Sequence, residues 1–368
     1  MNETEKIAIL TFAYSDNSGS VLQAFALKTT IENLTGSVVE TINYQKPGGL
    51  SPKLGKNVFC KPIKKWNRKK IRYWIRKIFL FRYWIGKSWK FQKEHLNYNS
   101  LTPLKRDQLA KVSADYGKIV VGSDQVWNYR SNQVDETFFL DFVDEDRKKV
   151  SYAASFGGST INDEFVEKYG PLLKRFFAAS VRELSGQALF RKATGKDAEL
   201  VLDPSLLFTG SDWEQYIVRP TEERFIVIYT LENNRELFQL AEDYAAQHSC
   251  SIVKLYRSRR VDPKGKEIGV VSPGEWMGFI KYADAVFTNS FHGVCFSINF
   301  HKQFWTYLRN NENNARITSL LQIVDLKDRI VSDSNESGSD IDYEKVDLIL
   351  REKREESIRY LKRALEVE

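Results

Sequence analysis

"KIAILTFAYSDNSGSVLQAFALKTTIENLTGSVVETINY", residues 6–44, decides the fold. The run "KIAILTFAY" is apolar and reads as a strand. "SVLQAFALKTTIENL" carries helix formers with apolar side chains at helical spacing and stops before Gly36. "SVVETINY" is a second strand. Strand, helix, strand in this order predicts a parallel sheet with helices on both faces. Ligands of such a sheet bind at the carboxyl ends of its strands.

The same rhythm runs on. "GKIVVGSD" (117–124), "KKVSYAASFG" (148–157), "ASVRE" (179–183) and "AELVLDPSLL" (198–207) are short β-runs that stop at small or polar residues. A second series begins near Arg224: strands at "RFIVIYTL", "SIVKLYR", "AVFTNS" and "QFWTYL", with helices at "NRELFQLAEDYAAQH", "PGEWMGFIKYAD" and "GVCFSINF". Two successive α/β units follow, joined around Leu207–Thr221. We place the first at 1–207 and the second at 208–335. Residues 340–368 form a C-terminal amphipathic helix, with Val346, Leu350, Ile358, Leu361 and Leu365 on a common face. Two such units leave a cleft in which strand ends from both halves meet a substrate.

Composition narrows the class. Of 368 residues, 42% are hydrophobic, which is ample for packed cores. Cys60, Cys250 and Cys295 are scattered, odd in number and lack C-x-x-C spacing, so neither a disulfide framework nor a zinc site is expected. The start "MNETEKIAIL" has no apolar core of signal-peptide length, and no apolar run is long enough to span a bilayer. A cytoplasmic enzyme is expected. Residues 56–93 hold fourteen lysines and arginines, ten aromatics and no acid, inside a chain of net charge +7 whose remainder is acidic. Ile71, Trp74, Ile75, Ile78, Phe81 and Ile85 follow helical spacing there. A basic amphipathic helix on an anionic membrane surface and a helix packed on its own domain stay open; a single-strand nucleic-acid contact is the rival, and no nucleic acid is expected.

The chain has no G-x-x-x-x-G-K-[ST], no G-x-G-x-x-G, no G-x-S-x-G and no H-E-x-x-H. No cofactor and no metal are expected. What remains are polar clusters at strand ends. Asn17 and Ser18 cap the first helix, Gly19 permits close backbone approach, and Gln23 lies one turn on. Asp124, Gln125, Trp127 and Asn128 set a carboxylate, amides and an aromatic face at the end of a strand, a set that suits a sugar as well as it suits a capped turn with a core tryptophan. Ser155 follows another strand. Arg182 stands after a strand at a helix start, suited to an anion. In "AVFTNSFHGVCFSINF" (285–300), Asn289, Ser290, Phe291, His292 and Gly293 lie where a strand becomes a helix, and the chain has only four histidines. Gly293 leaves room for an anion to approach that helix N-terminus. Arg316 opens a further helix.

In order, "NSGSVLQAFAL", "GSDQVWN", "SYAASFG", "SVRELSG", "VLDPSLL" and "TNSFHGVCFSINF" resemble the polysaccharide pyruvyl transferase family, over residues 7 to 330 or so. The resemblance implies two Rossmann-like domains facing a cleft, similar to the GT-B glycosyltransferase fold. It implies transfer of a pyruvyl group from phosphoenolpyruvate to two hydroxyls of a sugar in a bacterial surface-glycan precursor, often lipid-linked. In the family, the histidine of the S-F-H-G motif and arginines contact phosphoenolpyruvate. By position these are His292 and Arg182. Arg316 is added to them, and Asn289, Ser290, Phe291 and Gly293 complete the donor site. Asn17, Ser18, Gln23, Asp124, Gln125, Trp127, Asn128 and Ser155 form the acceptor side, with Asp124 as candidate base. His292→Ala and Arg182→Ala are each expected to stop phosphate release with the fold intact. The rivals are a nucleotide-sugar glycosyltransferase and a non-catalytic membrane- or nucleic-acid-binding protein.

Overall fold

The computed structural model describes residues 6–13, 17–44, 86–129, 134–232, 234–255, 266–268, 271–308, 314–331 and 340–367. Most of the basic segment, residues 56–85, lies outside these, and so do the helix read there and the question of what it docks on. The part that is described, 86–95, is helical. It packs on the protein: Phe91 and His95 meet Phe25 edge-on, and Lys87 pairs with Glu275 at 2.7 Å.

The first sheet runs β2-β1-β3-β4-β5-β6, all parallel. Its strands are β1 (Ile7–Leu10), β2 (Val39–Thr41), β3 (Lys118–Asp124), β4 (Lys149–Ala154), β5 (Ser180–Val181) and β6 (Glu199–Leu200). β1, β3 and β4 are buried along their whole length, which is why β1 and Ile119–Val121 of β3 read as unbroken apolar runs rather than alternating ones. One face, with Ala8, Leu10, Ile119 and Val121, packs on Trp127, Phe139 and Phe190. The other, with Ile7, Ile9, Val120 and Tyr152, packs on Leu27, Ile31, Tyr360 and Leu361.

The second sheet runs β11-β10-β7-β8-β9, again all parallel. Its strands are β7 (Phe225–Tyr229), β8 (Ser251–Leu255), β9 (Lys266–Ile268), β10 (Ala285–Thr288) and β11 (Gln303–Thr306). β9, with the sequence Lys-Glu-Ile, has no apolar pattern and was not legible.

Helices α1 (Ser18–Thr35), α2 (Arg106–Ser113), α3 (Asp163–Leu173) and α4 (Leu184–Thr194) belong to the first unit. A short α5 (Gly210–Trp213) follows, then α6 (Arg235–His248), α7 (Pro273–Tyr282), α8 (Phe291–Asn299), α9 (Ala315–Ile323) and α10 (Tyr343–Leu365). Asn17 caps α1 by accepting from Gly19 N at 3.2 Å, and Gly36 ends it in the left-handed region (φ 65°). The first half of α1 is buried all round because it lies between the units: Val21, Leu22, Ala24 and Phe25 share a core with Trp276, Met277 and Phe296. α10 also serves both. Val346 and Leu350 enter that shared core, while Tyr360, Leu361, Ala364 and Leu365 return to the first sheet. No described helix is long and apolar enough to cross a membrane.

Candidate active site

Each sheet reverses its strand order once, between β1 and β3 in the first and between β7 and β10 in the second. Such switch points open a crevice at the carboxyl ends of the strands. α1 starts at the first crevice and α8 at the second, and the two starts touch. A Cβ on Gly19 would stand 2.4 Å from His292 Cγ.

Around this contact is a buried ionic cluster built from four strand ends. Arg182, after β5, donates from Nη1 to Asp203 Oδ2 at 2.7 Å and from Nη2 to Asp124 Oδ1 at 3.2 Å. Asp124, ending β3, also accepts from Ser20 Oγ at 2.7 Å. Asp203, beyond β6, accepts from Ser123 Oγ at 2.9 Å and from Ser205. Glu183 accepts from Ser155 Oγ at 2.7 Å and Phe156 N at 3.0 Å; its Oε2 lies 3.9 Å from Arg182 Nε. Arg316, from the second unit, reaches within 3.9 Å of Asp124. Phe291 lies beside both guanidiniums, its ring 4.6 Å from Arg182 and 5.7 Å from Arg316. His292 Nε2 is 3.9 Å from Asp203 Oδ1 and makes no hydrogen bond.

Burial and charge act on these groups in opposite senses. Burial works against the charged forms of Asp124 and Asp203, yet the neighbouring cations outweigh it and hold both carboxyls below the usual range. For Glu183, burial prevails over Arg182 and pushes its carboxyl up. Burial, aided by Arg182 and Arg316, pushes His292 down despite Asp203 and Asp124. Arg182 is desolvated too, but three carboxylates keep it firmly charged.

Several residues singled out in the sequence sit here: Asp124, Arg182, Phe291, His292 and Arg316. Gln23 belongs to the scaffold, donating to Thr11 Oγ1 and accepting from Ser123 N. Ser18 is the buried first residue of α1, and Gln125 is half-buried beside Asp124. Asn128 packs on Gly157 (φ 73°), where a Cβ would be 2.5 Å from its Nδ2.

Four assignments need correction. Trp127 presents no face to a ligand: it is fully buried among Phe139, Phe156, Phe176 and Phe190, and its indole N–H donates to Phe138 O. Asn289 has both ends of its amide engaged by the β7 loop, accepting from Leu231 N and donating to Glu232 O. Gly293 makes room for Thr288, whose Oγ1 would stand 2.4 Å from a Cβ, rather than for an anion. Asp124 is held ionised with both oxygens engaged, which suits fixing arginines better than taking a proton. Ser290 caps α8 through Gly293 N, and Ser155 holds Glu183.

Asp203, Glu183, Ser123 and Ser20 lie in the motifs quoted from the sequence but were given no role in the site. Asp203 followed by Pro204 and Ser205 reads locally as a turn cap, and only the order of the strands brings it to Arg182. Among the described residues no group of His, Cys, Asp and Glu could hold a metal ion.

By structure, the chain is similar to a Listeria monocytogenes protein described as a UDP-N-acetylglucosamine 2-epimerase, at TM-score 0.50 and 11% identity over 98% of this chain and 91% of that one. It is also similar to the UDP-GlcNAc 2-epimerase of Neisseria meningitidis (0.48, 8%, 98% and 94%). A third similar structure is Arabidopsis thaliana UGT89C1 complexed with quercetin (0.45, 11%, 98% and 94%). The first of these, at 11% identity, speaks of fold alone: a two-domain α/β architecture of the GT-B type. No curated protein matches by sequence. A family profile, polysaccharide pyruvyl transferase, does match, over residues 17–311, and so takes in the start of α1, the Asp124–Arg182–Asp203 cluster and His292. The chain therefore belongs to the polysaccharide pyruvyl transferase family.

Proposed function

We propose that the chain moves the enolpyruvyl group of phosphoenolpyruvate onto two hydroxyls of a sugar in a polysaccharide precursor, forming a pyruvate ketal and releasing phosphate. One observation carries this reading. His292 Nε2 is buried without a hydrogen bond where two switch points meet, with Arg182 and Arg316 beside it. A polar atom left so is costly unless a ligand completes it.

The chemistry asks for such a group. A proton added to the methylene carbon makes C2 an oxocarbenium-like electrophile. One sugar hydroxyl adds to C2 and loses its proton, and phosphate departs with the C2–O electrons. A second hydroxyl then closes the ketal and loses its proton. His292 delivers or collects a proton, or donates to the departing phosphate. Arg316 reaches the cleft from the second unit to meet negative charge, and Asp124 and Asp203 hold Arg182 in place behind it. The basic sequence 56–85 would favour a lipid-linked acceptor at an anionic membrane.

The test is incubation with phosphoenolpyruvate and a panel of lipid-linked sugars. The expected result is a product with the added mass of a pyruvate ketal and an equal yield of phosphate. Protection against thermal unfolding by nucleotide sugars but not by phosphoenolpyruvate would overturn the proposal in favour of glycosyl transfer.

A further inference from the structure

The turn that carries Asp203 is tied to both halves of the cleft. Its φ and ψ are −55° and 141°, Pro204 follows, and the side chain caps the turn through Ser205 N at 3.0 Å. From α8, which bears His292, Asn299 Nδ2 donates to Ser205 O at 2.8 Å. Asp203 is thus fixed relative to the imidazole as well as to its own sheet.

Its two oxygens face different partners. Oδ2 takes Arg182 Nη1 and Ser123 Oγ. Oδ1 takes Ser205 Oγ at 2.7 Å and lies 3.9 Å from His292 Nε2, a distance for an ion pair and not for a hydrogen bond. The other charged groups facing the imidazole are Asp124, Arg182 and Arg316, with Gly19 of α1 against the ring and the Phe291 ring 5.3 Å away. Cys295, one turn along α8, has its thiol pushed up by burial and stays neutral.

We propose that Asp203 is a positioning residue for the transfer reaction: one oxygen fixes the Arg182 guanidinium while the other governs the charge of His292. The inference rests on the pyruvyl-transfer reading for its kinetic part only. Arg182 has its charge matched by carboxylates and reaches substrate through the arrangement Asp203 sets. His292 keeps an unbonded nitrogen, and Asp203 decides how readily that nitrogen holds a proton.

The experiment is a proton titration of the histidine ring signals by NMR on the full chain. The His292 signal is assigned by its loss in His292→Gln. In Asp203→Asn, the carboxylate charge is gone, the imidazolium is less stabilised, and the His292 pKa falls. The pH–rate limb set by this group moves to lower pH. kcat falls about tenfold or more, and KM for phosphoenolpyruvate rises as Arg182 loses the carboxylate that fixes it. In Ser205→Ala the charge stays but Oδ1 loses a hydrogen bond, so the His292 pKa rises. This variant decides the matter if Asp203→Asn does not fold. An unmoved His292 titration in folded Asp203→Asn, or in Ser205→Ala, overturns the coupling. A shifted titration with unchanged kcat overturns the positioning role. If the wild-type protein releases no phosphate from phosphoenolpyruvate, the reaction reading fails, and the opposite shifts in the two variants still test the Asp203–His292 coupling.

Discussion

The backbone of Gly19 lies against the imidazole of His292, so closely that a Cβ there would stand 2.4 Å from Cγ and 2.5 Å from Nδ1. Gly19 opens the helix at the first switch point, and His292 lies in the first turn of the helix at the second. Their contact is therefore where the two units register on each other. It also fixes one face of the ring whose Nε2 has no hydrogen bond.

Gly19→Ala follows from this contact. The backbone is helical, so alanine is tolerated by conformation, but the methyl would stand 2.4–2.5 Å from Cγ, Cβ and Nδ1 of buried His292. A shift of the ring by about 1 Å costs on the order of a hundredfold in rate. We expect phosphate release from phosphoenolpyruvate to fall by that factor, with a lower melting temperature because overpacking this buried contact costs about 1–3 kcal/mol. Wild-type turnover in Gly19→Ala would show that the contact does not position the ring.

Arg182 and His292 part company under mutation, contrary to what their similar place in the sequence suggests. His292→Ala removes a side chain that makes no hydrogen bond through Nε2, so the protein stays folded and loses activity. Arg182→Ala leaves Asp124, Asp203 and Glu183 buried without their shared cation. Breaking such a cluster costs about 3–5 kcal/mol, or on the order of 10 °C in melting temperature. Circular dichroism melts check it: an Arg182→Ala protein as stable as wild type would mean the carboxylates do not depend on this cation.

The parts that were legible in the sequence are those set by neighbours along the chain. β1, β3 and β10 are apolar runs with polar ends, and Asp124, Arg182 and His292 each follow a strand end, so their place at the crevice could be read directly. What could not be read depends on which strands lie side by side. Trp127 follows Asp124 by three residues, yet it turns into the aromatic core while Asp124 faces Arg182. Asn289 and Gly293 look like ligand residues beside His292, but one braces the β7 loop and the other receives Thr288. Asp203 lies in the motif "VLDPSLL", yet nothing local gave it a role beyond a capped turn, because its partners come from β3, β5 and α8.

Trp127 gives a test of this distinction. Trp127→Ala opens a cavity in the core and loses the indole hydrogen bond to Phe138 O, costing about 3–5 kcal/mol. Trp127→Phe keeps most of the packing and leaves the acceptor KM unchanged. A large rise in acceptor KM for Trp127→Phe, at near-native stability, would restore the residue to the sugar site.

Glu183 makes a prediction about pH. Its folded pKa is pushed up by burial, above the ordinary carboxyl value of about 4.3. The folded state thus binds this proton more tightly than the unfolded chain. The stability it contributes is complete below the unfolded pKa and is lost as pH rises through the folded one. Asp124 and Asp203 act the other way: their pKa values are depressed, so their contribution is present above about pH 4 and is lost on acidification. In Glu183→Gln the amide oxygen can still accept from Ser155 Oγ and Phe156 N, while the titrating group is gone. Relative to wild type, the variant gains melting temperature as pH rises above the ordinary carboxyl value of about 4.3, and the acid-side fall due to the aspartates is unchanged. Thermal melts of both proteins across that range measure it, and parallel curves would show that Glu183 is already ionised in the folded protein at its ordinary pKa.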